Sequence, residues 1–374
     1  MICGKPASRV VLFALVLAPM ATGCVSGSAA APDAVLHEEA PRSPQTLTDP
    51  LMDSDDTTTE DTGADTGDTG TGDTSTDEPP PNPVPGGALS GYSLFVDPDS
   101  NASRQADSWR QTDPEGAALM DRLAAEQVGL WIGDWYGDVA GAVDEAVTAG
   151  GDELRTLVIY NIPNRDCGNW SAGGVANKQA YTAFIDDFAR GLRGRPAIVV
   201  LEPDALPLTE CLTPAQTTER YQMLSEAVDT LTEAGAFVYI DAGDSDWLAS
   251  SDIADRLVEA GVLRAAGFSL NVSHTETTSD SVAYAEQIRA RIGDVHYIID
   301  THRNGTGPTA THEWCNPLGV AIGADPTLDT GVDGLDAFLW VKPPGESDGS
   351  CNGGPIAGAW WPEYARDLAA AAWL

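Results

Sequence analysis

Ala197-Ile198-Val199-Val200-Leu201-Glu202-Pro203-Asp204-Ala205-Leu206 begins as an unbroken apolar run and ends in two carboxylates around a proline. A strand with one wet face alternates apolar and polar residues, so five apolar residues in succession predict a strand covered on both faces, as in a parallel sheet. Pro203 has no N–H to offer a ladder, so the strand stops there and both carboxylates fall at its C-terminal end. The same texture recurs outward in both directions. Strands are predicted over 93–96, 128–132, 154–162, 197–202, 237–241, 267–272, 296–300 and 337–341, and amphipathic helices over 180–192, 217–234 and 281–291. Strand and helix alternating in this way predict an α/β fold, a parallel β/α (TIM-like) barrel. An open doubly wound sheet is the rival, and no Gly-rich fingerprint follows the first strand to support it.

The folded part is expected to span 88–374. Ahead of it, Lys5 and Arg9 flank the short apolar run 10–18, which predicts an export signal over 1–23. Ala21-Thr22-Gly23-Cys24 places small residues before a cysteine, so Cys24 is the expected lipidation site, with ordinary cleavage and free secretion as the alternative. The segment 24–87 is rich in Asp, Thr, Gly and Pro, with an imperfect Asp-Thr-Gly repeat and Pro79-Pro80-Pro81. It has too little apolar surface to offset the entropy of ordering, which predicts an acidic linker. The expected location is therefore extracytoplasmic, lipid-anchored to the cell envelope or secreted, with the lipid as the one membrane contact.

The formal net charge is −37, and the part from Leu89 onward still carries 43 acids against 17 Lys and Arg. Such a surface repels nucleic acid and anionic membranes and leaves a neutral polymer unopposed. Of the six cysteines, Cys167, Cys211, Cys315 and Cys351 form an even set suited to an oxidising compartment. Three pairings exist. The sequence neighbours 167–211 and 315–351 are preferred, although spacing does not decide it. No close Cys-x-x-Cys pair points to zinc, no cofactor is expected, and a monomer is the default.

The polar residues that need explaining gather at the predicted strand ends, where a parallel barrel builds its active site. Asn161-Ile162-Pro163-Asn164-Arg165-Asp166-Cys167 follows one strand and Glu202-Pro203-Asp204 another. Asp241-Ala242-Gly243, Asp300-Thr301-His302-Arg303 and Lys342-Pro343-Pro344-Gly345-Glu346-Ser347-Asp348 follow three more. Each acid alone is readily an N-cap or a loop ion pair. Together they predict one acidic cleft, and clustered carboxylates suit glycoside cleavage, in which one acts protonated and another ionised. Trp131, Trp135, Trp247 and Trp314 lie at or just past strand ends, where an indole can stack on a pyranose face.

Tyr160 to Cys167, Glu202 to Leu206, Tyr239 to Gly243, Asp300 to Gly305, Glu313 to Pro317 and Trp340 to Gly349, six motifs in this order, resemble glycoside hydrolase family 6, the family of certain endoglucanases and cellobiohydrolases. The resemblance spans about 89–374 and implies a distorted, incompletely closed barrel, so eight strands is an upper count. It implies inverting hydrolysis of β-1,4-glucan without metal or cofactor. In this resemblance Asp204 matches the general acid, Asp166 the carboxylate that raises the acid's pKa and helps activate water, and Asp348 the debated base. Tyr160 matches the residue crowding the −1 sugar, Lys342 and Glu346 bind hydroxyls, Trp131, Trp247 and Trp314 match stacking platforms, and Asn271 a hydroxyl-binding position. The preferred disulfide pairing agrees with the family's. Three departures stand out: Asp244 where many relatives have His or Asn, Ser250 where some have Trp, and Ser273-His274-Thr275 in place of a more usual Asn-containing run.

Short segments after Asp166 and Asp348 leave little chain to roof a tunnel, which favours an open cleft and internal cutting of a β-glucan substrate. The alternatives are an exo-acting cellobiohydrolase, action on another neutral β-glucan or a xylan, and a non-catalytic glucan-binding surface lipoprotein. Loss of Asp204 or Asp166 would have marked the last, and both are present.

Overall fold

The computed structural model describes Gly87 and Leu89–Leu374. The expected signal 1–23, Cys24 and, Gly87 apart, the linker 24–87 lie outside the described residues. Seven strands, β1 (Leu130–Ile132), β2 (Thr156–Ile159), β3 (Ala197–Leu201), β4 (Ala236–Asp241), β5 (Gly267–Leu270), β6 (His296–Asp300) and β7 (Leu335–Leu339), lie side by side in chain order. Every neighbouring pair is parallel. Helices α1 (Asn101–Trp109) and α2 (Pro114–Ala124) precede the sheet, and α3 (Val139–Gly150), α4 (Lys178–Leu192), α5 (Pro214–Glu233), α6 (Ser250–Glu259) and α7 (Thr278–Ile292) cross over between strands. The closing helix is α8 (Pro362–Trp373).

The apolar strands divide their side chains between two cores, as their continuous hydrophobicity requires. Leu157, Ile159, Val199, Leu201, Val238, Ile240, Phe268 and Ile299 face the crossover helices. Their alternates Val158, Ile198, Val200, Tyr239, Ile298, Ala337 and Leu339 fill the barrel interior. A third cluster joins α1, α2 and α8 around Trp340 and closes the side where β1 and β7 approach each other. These two edge strands do not form a ladder. The two sides touch through the Gly129 N–H donating to the Trp340 carbonyl at 2.9 Å and the Trp131 indole N–H donating to the Val341 carbonyl at 2.9 Å. A Cβ on Gly129 would lie 2.2 Å from the Val341 oxygen, so only glycine admits this approach. The result is the incompletely closed barrel.

Two expectations need correction. The segment 93–96 is no strand: it makes a single parallel bridge, Leu94 to Leu154. Asp97-Pro98 ends the extended run at once, Asp97 pairs with Arg155 at 3.0 Å, and Ser100 caps α1 directly afterwards. The crossover helices α4, α5 and α7 also begin two or three residues before their predicted starts at 180, 217 and 281. Asn177, Thr213 and Thr277 each cap a helix by accepting a backbone N–H, and Thr213 completes a reciprocal capping box with Gln216.

Candidate active site

The loops after β2, β3, β4, β5, β6 and β7 line a cavity of about 440 Å³ at the C-terminal end of the sheet, its walls including Trp131, Tyr160, Asp166, Asp204, Trp247, His274, Trp314, Lys342 and Asp348. A second cavity of about 480 Å³ shares Trp131, Tyr160 and Lys342 with it and continues past Trp135, Trp170 and Glu346. The two form one groove passing over Tyr160 and Lys342. Trp135, Trp170 and Trp314 are 52%, 53% and 45% exposed along it, so the groove is open.

Of the strand-end carboxylates, only some reach the groove. Glu202 turns inward and accepts the backbone N–H groups of Asn161, at 2.9 and 3.0 Å, and Ile162, at 3.1 Å. Burial pushes its carboxyl up to about 7. Asp241 is likewise buried and accepts from the N–H groups of Asp204 at 2.9 Å and Gly243 at 3.1 Å, and from the Ser269 hydroxyl at 3.1 Å. Burial and the neighbouring Asp204 charge push it up to about 8. Asp300 accepts the N–H groups of Ser273, His302, Val341 and Lys342. These three acids pin loop backbones, and the next carboxylate along two of those loops is what faces the groove.

Asp204 is one such group. Its backbone is left-handed (φ 71°), a conformation shared with Asn164, Asp166, Glu202, Asn271 and Ser273 around the same rim. Non-glycine residues held there concentrate at functional sites. The Tyr160 hydroxyl donates to Asp204 Oδ2 at 3.3 Å. Burial pushes the Asp204 carboxyl up to about 6; His274 and Lys342 oppose this and the Asp166 charge adds to it. Asp166 is partly exposed, accepts from the Ser171 N–H at 2.7 Å, and is itself raised by burial. Arg165 braces its loop by donating to the Tyr160, Ser171 and Ala172 carbonyls. The Tyr160 ring meets Trp131 edge-on, centroids 5.1 Å apart.

Asp348 differs from both. Its Oδ2 accepts from Arg303 at 2.6 Å and from the Asn316 N–H at 2.7 Å, while Oδ1 accepts from Lys342. The Arg303 and Lys342 charges hold its carboxyl far below the usual carboxylate range, overcoming burial. Glu346 accepts from the Asn101 amide at 3.3 Å and burial pushes it up to about 7. Asn271 is placed away from the groove. Fully buried, it donates to the Asp300 carbonyl at 2.9 Å and accepts the Glu276 N–H at 3.0 Å, so its amide fastens the loop after β5.

The disulfides are Cys167–Cys211 and Cys315–Cys351. The first ties the Asp166 loop to the segment following Asp204, and the second ties the Trp314 segment to the Asp348 loop. Among the described residues, one group of His and acids brings ligand atoms within 4.8 Å of one another, Asp246, Glu276 and His312 at the groove's edge. Its His312 Nδ1 is already 3.3 Å from Asp246 and 3.6 Å from Glu276, so contacts within the group account for it. Sequence reasoning missed Trp170, which lies only three residues beyond the Cys167 that was singled out. It also left Asp244 and His274 as departures, and the fold brings them together as an ion pair at 3.0 Å.

The family model for glycosyl hydrolases family 6 matches residues 89–372. Endoglucanase A of Cellulomonas fimi is 43% identical over 287 residues, covering 75% of this chain and 61% of its own length. Endoglucanase 1 of Streptomyces halstedii is 43% identical, covering 74% of this chain and 88% of its own. Among solved structures, the endoglucanase Cel6 from Mycobacterium tuberculosis, in complex with methyl-cellobiosyl-4-deoxy-4-thio-β-D-cellobioside, superposes with a TM-score of 0.72. It is 41% identical, and the match covers 78% of this chain and 99% of that one.

Proposed function

The chain belongs to glycosyl hydrolases family 6, and from that premise we propose that it hydrolyses internal β-1,4-glucosidic bonds of cellulose or a related β-glucan, with inversion at the anomeric carbon. The open groove carries this reading: it extends to both sides of Tyr160 and Lys342, with Asp204 beside them, and has exposed tryptophans toward each end. A chain lying across it has sugars on both sides of the bond that is cut. A roofed tunnel, suited to threading chain ends, would cover those indoles.

In this reading Asp204 is the general acid. A carboxyl near 6 is substantially protonated in mildly acidic solution and transfers its proton to the leaving glycosidic oxygen. Asp166, partly exposed, orients the attacking water from a loop braced by Arg165. Asp348 is a poor base, because three donors occupy its oxygens and two cations hold its proton affinity down. We assign it the task of fixing Lys342, whose ammonium, with Glu346, meets sugar hydroxyls. Tyr160 crowds the −1 sugar and Trp131, Trp247 and Trp314 stack on sugar faces, while Asn271 acts through the loop it fastens.

The export signal, the Cys24 lipid anchor, the linker 24–87 and monomeric behaviour belong to the same proposal. So does the boundary of the catalytic domain at 88–374.

The experiment that tests the endo reading plots viscosity against reducing ends released from carboxymethyl cellulose. A steep fall in viscosity at few new ends is expected. A proportionate fall would instead place the activity at chain ends. The pH profile has a definite sign: the protonated acid is the active form, so kcat/KM on a neutral oligosaccharide should decline as pH rises through about 6.

A further inference from the structure

We infer that the Asp244–His274 ion pair is a positioning device for Asp204, a cation locked on the groove wall that sets the pH range in which the proposed acid works. The inference rests on the reading of Asp204 as the acid and adds a residue pair to it. Both partners stand at positions where this sequence departs from the usual pattern of the family it resembles.

The pair is built to stay in place. Asp244 is buried, and its Oδ1 accepts the Asp246 N–H at 2.7 Å while Oδ2 lies 3.0 Å from His274 Nδ1. His274 sits on the loop after β5, which is fastened by four hydrogen bonds. The Asn271 amide holds the Asp300 carbonyl and the Glu276 N–H, the Ser273 N–H reaches Asp300 Oδ2 at 3.2 Å, and the His274 N–H reaches the Asn271 carbonyl at 3.0 Å. Its ring packs against Trp247, centroids 5.5 Å apart. Both side chains line the same cavity as Asp204.

Burial alone would drive the imidazole towards its neutral form. Asp244 after β4 and Asp204 after β3 outweigh that, Arg303 after β6 opposes them, and the ring is pushed up to about 9. His274 is therefore a cation at neutral pH. Glu276 on its own loop and Asp246 beside Asp244 complete the charges on this wall. Asp204 in turn faces Asp166 and Tyr160 from the loop after β2, Asp241 from β4, and Lys342 and Asp348 from beyond β7. Among all these side chains His274 has the largest influence on it, and that influence favours the ionised form. With the cation removed, burial and Asp166 would make Asp204 hold its proton to higher pH.

Two measurements test this. In the full-length wild-type protein, the assigned His274 ring resonance should stay that of an imidazolium through pH 7.5. An ordinary titration near about 6.5 would overturn the pair, whatever Asp204 does. In kinetics on cellohexaose, His274→Gln should move the alkaline limb of kcat/KM upward by about one pH unit. Asp244→Asn should move it in the same direction, since the ring then deprotonates, and His274→Lys should restore it. A uniform loss of rate with the limb unmoved would reduce the pair to scaffolding. Failure of the Asp204 assignment shows separately, as undiminished turnover in Asp204→Ala, and leaves the ring titration to report on the pair.

Discussion

Asp204→Ala is expected to lower kcat on an unactivated cello-oligosaccharide by about 10²- to 10⁴-fold, the usual worth of a positioned proton donor. The loss should shrink sharply on an aryl cello-oligosaccharide whose phenolate leaves without a proton. A residue that only bound sugar would slow both substrates alike, so the contrast identifies the acid. The same substitution should not weaken the fold. The Asp204 carboxyl sits near 6 in the native protein against an ordinary value of 3.8. A raised acid stabilises the folded state fully below the lower value, and that contribution drains away as pH rises through the higher one. At pH 7 the native protein holds an ionised group it disfavours by on the order of 3 kcal/mol. Alanine removes that cost. The melting temperature of Asp204→Ala relative to wild type should therefore be more favourable at pH 7 than at pH 4. A mutant that melts well below wild type at pH 7 would mean that Asp204 holds the rim together.

The sequence announced the sheet plainly because the strands are covered on both faces: 197–201 and 297–299 are apolar without interruption until a carboxylate, Glu202 or Asp300, ends them. It misled at 93–96, where four strand-like residues precede Asp97-Pro98 and no length remains for a ladder. The rim was legible in composition and illegible in direction. Glu202, Asp241 and Asp300 read as cleft acids by position, yet each turns inward to satisfy backbone N–H groups that tight loops leave unpaired. One residue of a motif serves the backbone so that another can serve the groove, and spacing alone does not say which. Asn271 makes the same point, since its position matches a sugar-binding residue while its amide closes a loop. The Asp244–His274 pair was hidden because its members are 30 residues apart and meet only once β4 and β5 are neighbours.

Asp348→Ala should destabilise the protein by roughly 3–5 kcal/mol, because it leaves two cations in the interior without their counter-charge. Arg303 is 0% exposed and donates also to the Ser273 and Trp314 carbonyls, so it joins the loops after β5 and β6 to the loop after β7. The Asn316 N–H loses its acceptor too. Since the native Asp348 carboxyl lies below its ordinary value, its stabilisation is present above about pH 4 and fades only as pH falls further. The deficit in denaturant midpoint should accordingly be as large at pH 5 as at pH 7 and narrow in stronger acid. Activity should fall with it, and azide tells why. A missing base leaves space that azide can fill as a nucleophile, giving an accelerated reaction and a glycosyl azide product. A missing anchor leaves Lys342 and Arg303 displaced, which azide does not repair. Geometry that occupies both oxygens of Asp348 predicts no rescue there, and a product of azide attack from Asp348→Ala would return the role of base to this residue.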